Sequence, residues 1–240
     1  MTRVAIHQPA FLPWTDYLLR IAWADFFVFL DSVQYTRRNY QNRNLIKARQ
    51  GAQWLTVPLR RAPRNQIIAE MRIDNSRDWQ TRHGNLIKES YRSAPHFGTT
   101  CSLLEPVYAR EWDRLTDLNC DWTMRMAAAL GAKTQFLRSS ELNVEGKGSE
   151  LILNLCLELG AAYYISGSGG RSYLEEERFT SNGVDVVYVP PLQLQYDQVH
   201  PEIGFIPHLS IIDYLFSEGI GEIEKLMKRY EVLVARAASG

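Results

Sequence analysis

The chain has 240 residues, 45% hydrophobic and 22% charged, a balance that excludes intrinsic disorder, collagen and mucin-like stalks. Its 27 Lys and Arg match 27 Asp and Glu, and no apolar run approaches the roughly 20 residues a helix needs to cross a bilayer. Three cysteines, Cys101, Cys120 and Cys156, none in a CxxC pair, and an N-terminus without a signal-peptide layout predict a cytoplasmic protein.

In chain order, Val4–His7 reads as a short buried strand, Pro9 and Pro13 punctuate the loop after it, and Tyr17–Trp23 carries apolar residues at helical spacing. A second strand, Phe26–Leu30, ends at Asp31; this strand-helix-strand unit predicts a parallel pair with His7 and Asp31 on one edge. Trp54–Leu59 and Ile67–Ile73 read as further strands around a basic loop, Arg60–Gln66. Helices are expected over Asp78–Tyr91 and along the stripe Leu115, Leu118, Trp122, Met126 and Leu130, closed by Gly131. Then follow a strand at Thr134–Leu137, a helix opened by Ser149 and a strand at Tyr163–Ser166. A Gly-rich turn at 167–170 leads to a short acidic helix at Tyr173–Glu177 and a strand at Val184–Val189, which Pro190 and Pro191 end. Helices at Leu209–Phe216 and Glu222–Tyr230 close the chain. The pattern predicts one α/β domain over residues 1–240, an open, largely parallel Rossmann-like sheet with a helical insertion at about 75–130.

The charge is unevenly spread. Between Asp31 and Glu70 there is no acid, while Arg37, Arg38, Arg43, Lys47, Arg49, Arg60, Arg61 and Arg64 are all basic. Such a block is either a solvated surface or a field that attracts an anionic partner. RNP-like, KH and zinc-finger patterns are missing, which argues against sequence-specific nucleic-acid binding.

Three constellations could carry chemistry. His7 ends a strand and precedes a proline-set loop, where an imidazole serves either as a general base or as a hydrogen-bonded core residue; Asp31 at the next strand end is placed to orient it. The run from Asp31 to Lys47 is dense in amide and guanidinium donors, with Gln34, Tyr35, Arg38, Gln41, Asn42, Arg43, Asn44 and Lys47 as candidate ligand contacts. Gly167, Ser168 and Gly169 form either an ordinary strand-to-helix turn or a backbone cradle for a phosphate or oxyanion, without a Walker lysine. The cysteines read as core or neutral positions, GxSxG and HExxH are absent, and His83, His96, His200 and His208 are too scattered to propose a metal site.

Ile6–Trp14 (IHQPAFLPW), Ala24–Asp31 (ADFFVFLD), Val33-Gln34-Tyr35, Gln41–Asn44 (QNRN), Trp54–Pro58 (WLTVP), Tyr164–Gly167 (YISG), Phe205-Ile206-Pro207 and Leu209–Asp213 (LSIID) resemble the WbqC-like family. The resemblance spans nearly the whole chain and is most specific in the first half. Asp16 stands where a glycine is expected before Tyr17, and Gly84 where an aromatic often follows the histidine of the Trp79–Ile87 helix.

The family is associated with O-antigen and related gene clusters and with a glycine-transferase role, so the resemblance implies aminoacyl or acyl transfer in polysaccharide or specialised-metabolite biosynthesis. Its motif residues fall on His7, Gln8, Asp31, Gln34, Tyr35, Asn42, Arg43 and Asn44. In that scheme His7 is the base and Asp31 orients it. Gln34, Asn42 and Asn44 bind the acceptor and the tetrahedral oxygen, and Arg38, Arg43 and Lys47 hold a donor phosphate. No tightly bound cofactor or metal is expected. The activated donor would be a carrier-protein thioester, an aminoacyl-tRNA or a nucleotide, and the partner an anionic small molecule or a phosphopantetheine carrier protein. Two alternatives stand beside it: a nucleotidyl transferase using ATP or CTP with Asp31 on magnesium, and a non-catalytic module binding a carrier protein, a nucleotide-sugar or RNA.

Overall fold

A computed structural model describes residues 1–237, with side chains through residue 229; positions 238–240 of the expected domain lie outside the described residues. Five strands form one all-parallel sheet: β1 (Thr2–His7), β2 (Phe26–Phe29), β5 (Gln135–Arg138), β6 (Ala161–Gly167) and β7 (Asp185–Val189), in the order β5-β2-β1-β6-β7. The chain first builds outward on one side of β1 and then returns to build on the other. The strand order therefore reverses between β1 and β6, where ligands bind in open α/β sheets. The fold is Rossmann-like, as the strand and helix alternation predicts.

Period-two alternation explains why both faces are covered. Ala5, Phe27, Phe29, Ile165 and Val187 face the larger core, built with Tyr17, Leu18 and Ile21 of α1 (Thr15–Trp23). Val4, Ile6, Val28 and Tyr164 face the smaller core, against Leu151, Ile152 and Leu155 of α5 (Gly148–Glu158) and Phe179 of α6 (Glu176–Ser181).

Between β2 and β5 lie a two-stranded antiparallel sheet, β3 (Arg43–Ala48) with β4 (Gly51–Thr56), and three helices, α2 (Trp79–Tyr91), α3 (Phe97–Tyr108) and α4 (Leu115–Ala129). Helices α7 (Ile211–Glu218) and α8 (Ile220–Ala237) end the chain. No helix among the described residues is long and apolar enough to cross a membrane.

Several elements differ from expectation. β3 is a strand inside the donor-rich run, to which the sequence reading assigned no element: Ile46 packs into the core while Asn44 and Lys47 find polar partners inside. Ile67–Ile73 is no strand: Ile68–Glu70 is a turn of 3-10 helix, and isolated bridges join Gln34 to Ile67, Leu59 to Ile73 and Arg72 to Arg114. The helix α3, with Pro106 inside it, has no counterpart in the sequence reading.

Candidate functional site

At the β1/β6 crossover a cleft of about 480 Å³ is lined by His7, Trp14, Asp16, Arg20, Ser166, Gly167 and the following Gly-rich turn. It continues past Trp14, Asp16, Pro191 and His208 into a cavity of about 420 Å³ lined by Leu192, Leu194 and Phe205. On the other side of His7 a third hollow of about 320 Å³ is bounded by Gln8, Leu30, Val33 and Leu151. The C-terminal end of β1 thus projects one imidazole between two cavities.

The imidazole is held firmly. His7 Nδ1 lies 2.9 Å from the Gln8 carbonyl oxygen, which makes it the protonated nitrogen, and Nε2 has no hydrogen-bond partner among the described residues. The ring packs edge-on against Tyr17 at 4.8 Å and Trp14 at 5.6 Å between centroids. The Gln8 carbonyl also accepts from the Tyr17 hydroxyl, and Gln8 Oε1 accepts from Gln41 Nε2 at 2.8 Å. Burial and the nearby Arg20 cation push the His7 pKa down to about 3, so the ring is neutral at pH 7.

Asp31 departs from the expected role. Its strand end does adjoin that of His7, since the Leu30 N–H donates to the His7 carbonyl at 2.9 Å. Its carboxylate, fully buried, instead accepts from the Ser139 hydroxyl, the Ser140 N–H and the Ser140 hydroxyl at 3.2, 2.9 and 3.0 Å. The ring is oriented by the Gln8 carbonyl, and Asp31 ties the ends of β2 and β5 together.

The QNRN segment divides in the same way. Asn44 Nδ2 donates to the carbonyls of Phe11 and Leu12, at 3.2 and 2.7 Å, and so fixes the loop after β1. Asn42 joins the Tyr35 hydroxyl to the Val57 carbonyl, at 2.9 and 2.8 Å. Both amides are spent on the fold, not on the acceptor or tetrahedral oxygen first assigned to them. Lys47, assigned to a donor phosphate, is instead enclosed: it is 1% exposed, donates to the Gly204 carbonyl at 2.6 Å, and lies near Asp213, whose carboxylate accepts from Tyr91 and Tyr196. Arg43 stacks its guanidinium on Trp54 at 4.0 Å and donates to the Arg38 carbonyl.

The remaining basic residues gather elsewhere. A cavity of about 700 Å³ is lined by Gln34, Tyr35, Arg37, Asn42, Arg60, Arg61 and Arg64. It is larger than the crossover cleft and is lined by cations and amides, whereas the smaller cleft has a neutral imidazole with an unpartnered ring nitrogen among the described residues. The loop after β1 is tied to the donor-rich run: the Phe11 N–H donates to the Tyr40 carbonyl, and Tyr40 packs on Trp14 at 5.5 Å.

Gly167, Ser168 and Gly169 do line the cleft. The turn needs its glycines unequally: a Cβ on Gly170 would collide with Ser166 Oγ and Leu174, one on Gly167 would come 3.1 Å from Arg20 Nη1, and one on Gly169 meets open space. Among the cleft residues that sequence reading did not single out, Arg20 stands on the helix α1, and only the tertiary fold shows what it faces.

The profile of the WbqC-like protein family matches residues 8–225. The chain belongs to the WbqC-like family. It is 35% identical over 225 residues to the uncharacterized protein Rv1507c of Mycobacterium tuberculosis, across 91% of this chain and 95% of that relative. No solved structure matches it. In this WbqC-like protein the residue standing at the glycine position, Asp16, lies in the first turn of α1, and its carboxylate accepts the Leu192 N–H at 3.2 Å. Gly84 meets open space.

Burial raises the thiol pKa of all three cysteines, that of Cys156 to about 12. None is poised as a thiolate nucleophile. Among the described residues no three His, Cys, Asp or Glu side chains gather as a metal-ligand set.

Proposed function

We propose that this WbqC-like protein transfers an activated acyl or aminoacyl group to an amine or hydroxyl in the β1/β6 cleft, with His7 as the base. The observation that carries the reading is the tautomer-fixing bond to the Gln8 carbonyl, which leaves Nε2 a lone pair beside the cleft. As the acceptor nitrogen or oxygen attacks the acyl carbon, its proton passes to Nε2. When the tetrahedral intermediate collapses, Nε2 returns that proton to the leaving thiolate, alkoxide or phosphate. Orientation of the two substrates supplies much of the rate, since positioning is worth roughly 7 to 11 kcal/mol of barrier. The family's association with cell-surface polysaccharide clusters supports an amino sugar or related metabolite as acceptor.

The nucleotidyl-transfer alternative placed magnesium on Asp31, and the three hydrogen bonds to that carboxylate from Ser139 and Ser140 weigh against it. The test is mass spectrometry of products after incubation with aminoacylated carrier protein, aminoacyl-tRNA, or ATP plus amino acid, each with a panel of amino sugars. His7→Gln abolishes turnover with little change in donor affinity. Release of pyrophosphate coupled to a nucleotidylated product would replace this reading with nucleotidyl transfer.

A further inference from the structure

A buried cation that no direct ion pair neutralises is expensive to maintain. Arg20, on α1, is such a group: it is 7% exposed, and its Nε donates to the Asp16 carbonyl at 3.3 Å. Neither terminal nitrogen has a hydrogen bond or a carboxylate partner among the described residues. The acid one turn earlier on the same helix, Asp16, shares the cleft and feels the Arg20 charge, but its carboxylate accepts from the Leu192 N–H and forms no direct ion pair with the guanidinium. The guanidinium lines the crossover cleft together with His7, Ser166 and His208, and Gly167 leaves room for it, with Nη1 3.1 Å from where a Cβ would stand.

We infer that Arg20 holds an oxyanion of the substrate, a phosphoryl or carboxylate group, in the crossover cleft beside His7. A guanidinium presents a planar pair of N–H donors that matches either group, and in a buried site such charge-assisted bonds are strong. The inference deepens the transfer reading and rests on the cleft being its substrate site. It moves the anion-holding role from Arg38, Arg43 and Lys47, which are exposed, stacked on Trp54 and enclosed, respectively, to a residue outside the basic segment.

The experiment is isothermal titration of the full chain at pH 7 with inorganic phosphate, pyrophosphate and acetate, with folding of each variant checked by thermal unfolding. Arg20→Met weakens binding by at least about tenfold, roughly 1.4 kcal/mol, and Arg20→Lys weakens it less. Gly167→Ala, which crowds Nη1, also weakens it. A double Arg60→Ala/Arg61→Ala variant in the larger cavity and Arg82→Ala on the exposed face of α2 leave it unchanged. Preference for phosphate or pyrophosphate over acetate identifies a phosphoryl group, and the reverse a carboxylate; both support the inference.

Binding unchanged in Arg20→Met, binding lost in the Arg60/Arg61 variant, or no binding by the wild-type chain at concentrations on the order of 10 mM overturns it. Should Arg20→Met fail to fold, Gly167→Ala decides, and unchanged affinity there overturns the inference. Because titration needs no turnover, anion binding without transfer defeats only the acyl-transfer reading, whereas transfer without Arg20-dependent binding defeats only this one.

Discussion

His7 Nδ1 and the Gln8 carbonyl, 2.9 Å apart, fix which face of the imidazole is basic. The same burial that seats the ring, aided by Arg20, lowers its pKa to about 3. The rate of transfer therefore shows no acid limb from His7 near pH 6.5 in the free enzyme, and kcat/KM stays level in that respect down to about pH 5. A pH–rate profile with a limb centred near 6.5, removed by His7→Gln, would contradict this geometry.

His83 makes the stability of the fold sensitive to acid. Its Nε2 meets the Thr56 carbonyl at 3.2 Å, its Nδ1 is buried without a partner, and burial pushes its pKa down to about 4. The unfolded chain, with His83 near 6.5, binds more protons between about 4 and 6.5, so stability is complete above 6.5 and falls as pH drops through that window. The loss amounts to roughly 3 kcal/mol at 1.36 kcal/mol per pKa unit. Urea unfolding from pH 7 to 4.5 measures it, and His83→Gln flattens the slope, leaving the contribution of His7, which has the same sign.

Asn44 and Ser210 both donate to the carbonyl of Leu12, at 2.7 and 2.6 Å, and Leu12 adopts a left-handed φ of 42°. Strain of that kind persists only where surrounding bonds overdetermine the backbone. Asn44→Ala costs about 2 kcal/mol in unfolding free energy, within the range for stranding a buried acceptor, here the Phe11 carbonyl. Combined with Ser210→Ala it costs more than the sum, because the last donor to the Leu12 carbonyl is then gone. Chemical denaturation of the two single variants and the double checks the coupling.

What the sequence made legible is what periodicity encodes. β1, β2, β6 and β7 alternate sides, and α1, α4 and α5 carry apolar stripes, so the parallel sheet follows from pattern, while its strand order and the switch point between β1 and β6 emerge only in the fold. The hairpin of β3 and β4 does not, because Asn44 and Lys47 disguise a buried strand as a solvated one. Their partners, Phe11, Leu12 and Gly204, are distant in sequence. The same reason hides Arg20 and misdirects Asp31: hydrogen-bond partners such as Ser139 and Ser140, about 108 residues away, are set by sheet order and not by spacing.

The Gly-rich turn after β6 separates two neighbouring glycines by their surroundings. Gly170→Ala forces Ser166, Leu174 or the turn itself to move and lowers the midpoint of thermal unfolding by several degrees, about what 1 to 2 kcal/mol produces in a chain of this length. Gly169→Ala, with open space around it, leaves the midpoint unchanged or slightly raised. Calorimetry on the two variants decides whether the turn has this shape in solution.

The arginine-lined cavity has a consequence for how the molecule behaves in bulk. Titration to zero net charge normally means indifference to ion exchangers, but Arg37, Arg60, Arg61 and Arg64 share one recess whose lining holds no acid. The recess carries a local positive field that the chain's zero sum hides. At low salt the molecule adheres to a sulfonate or heparin matrix at the very pH where an averaged charge would let it flow through, and it elutes once the Debye length shrinks to about 8 to 10 Å.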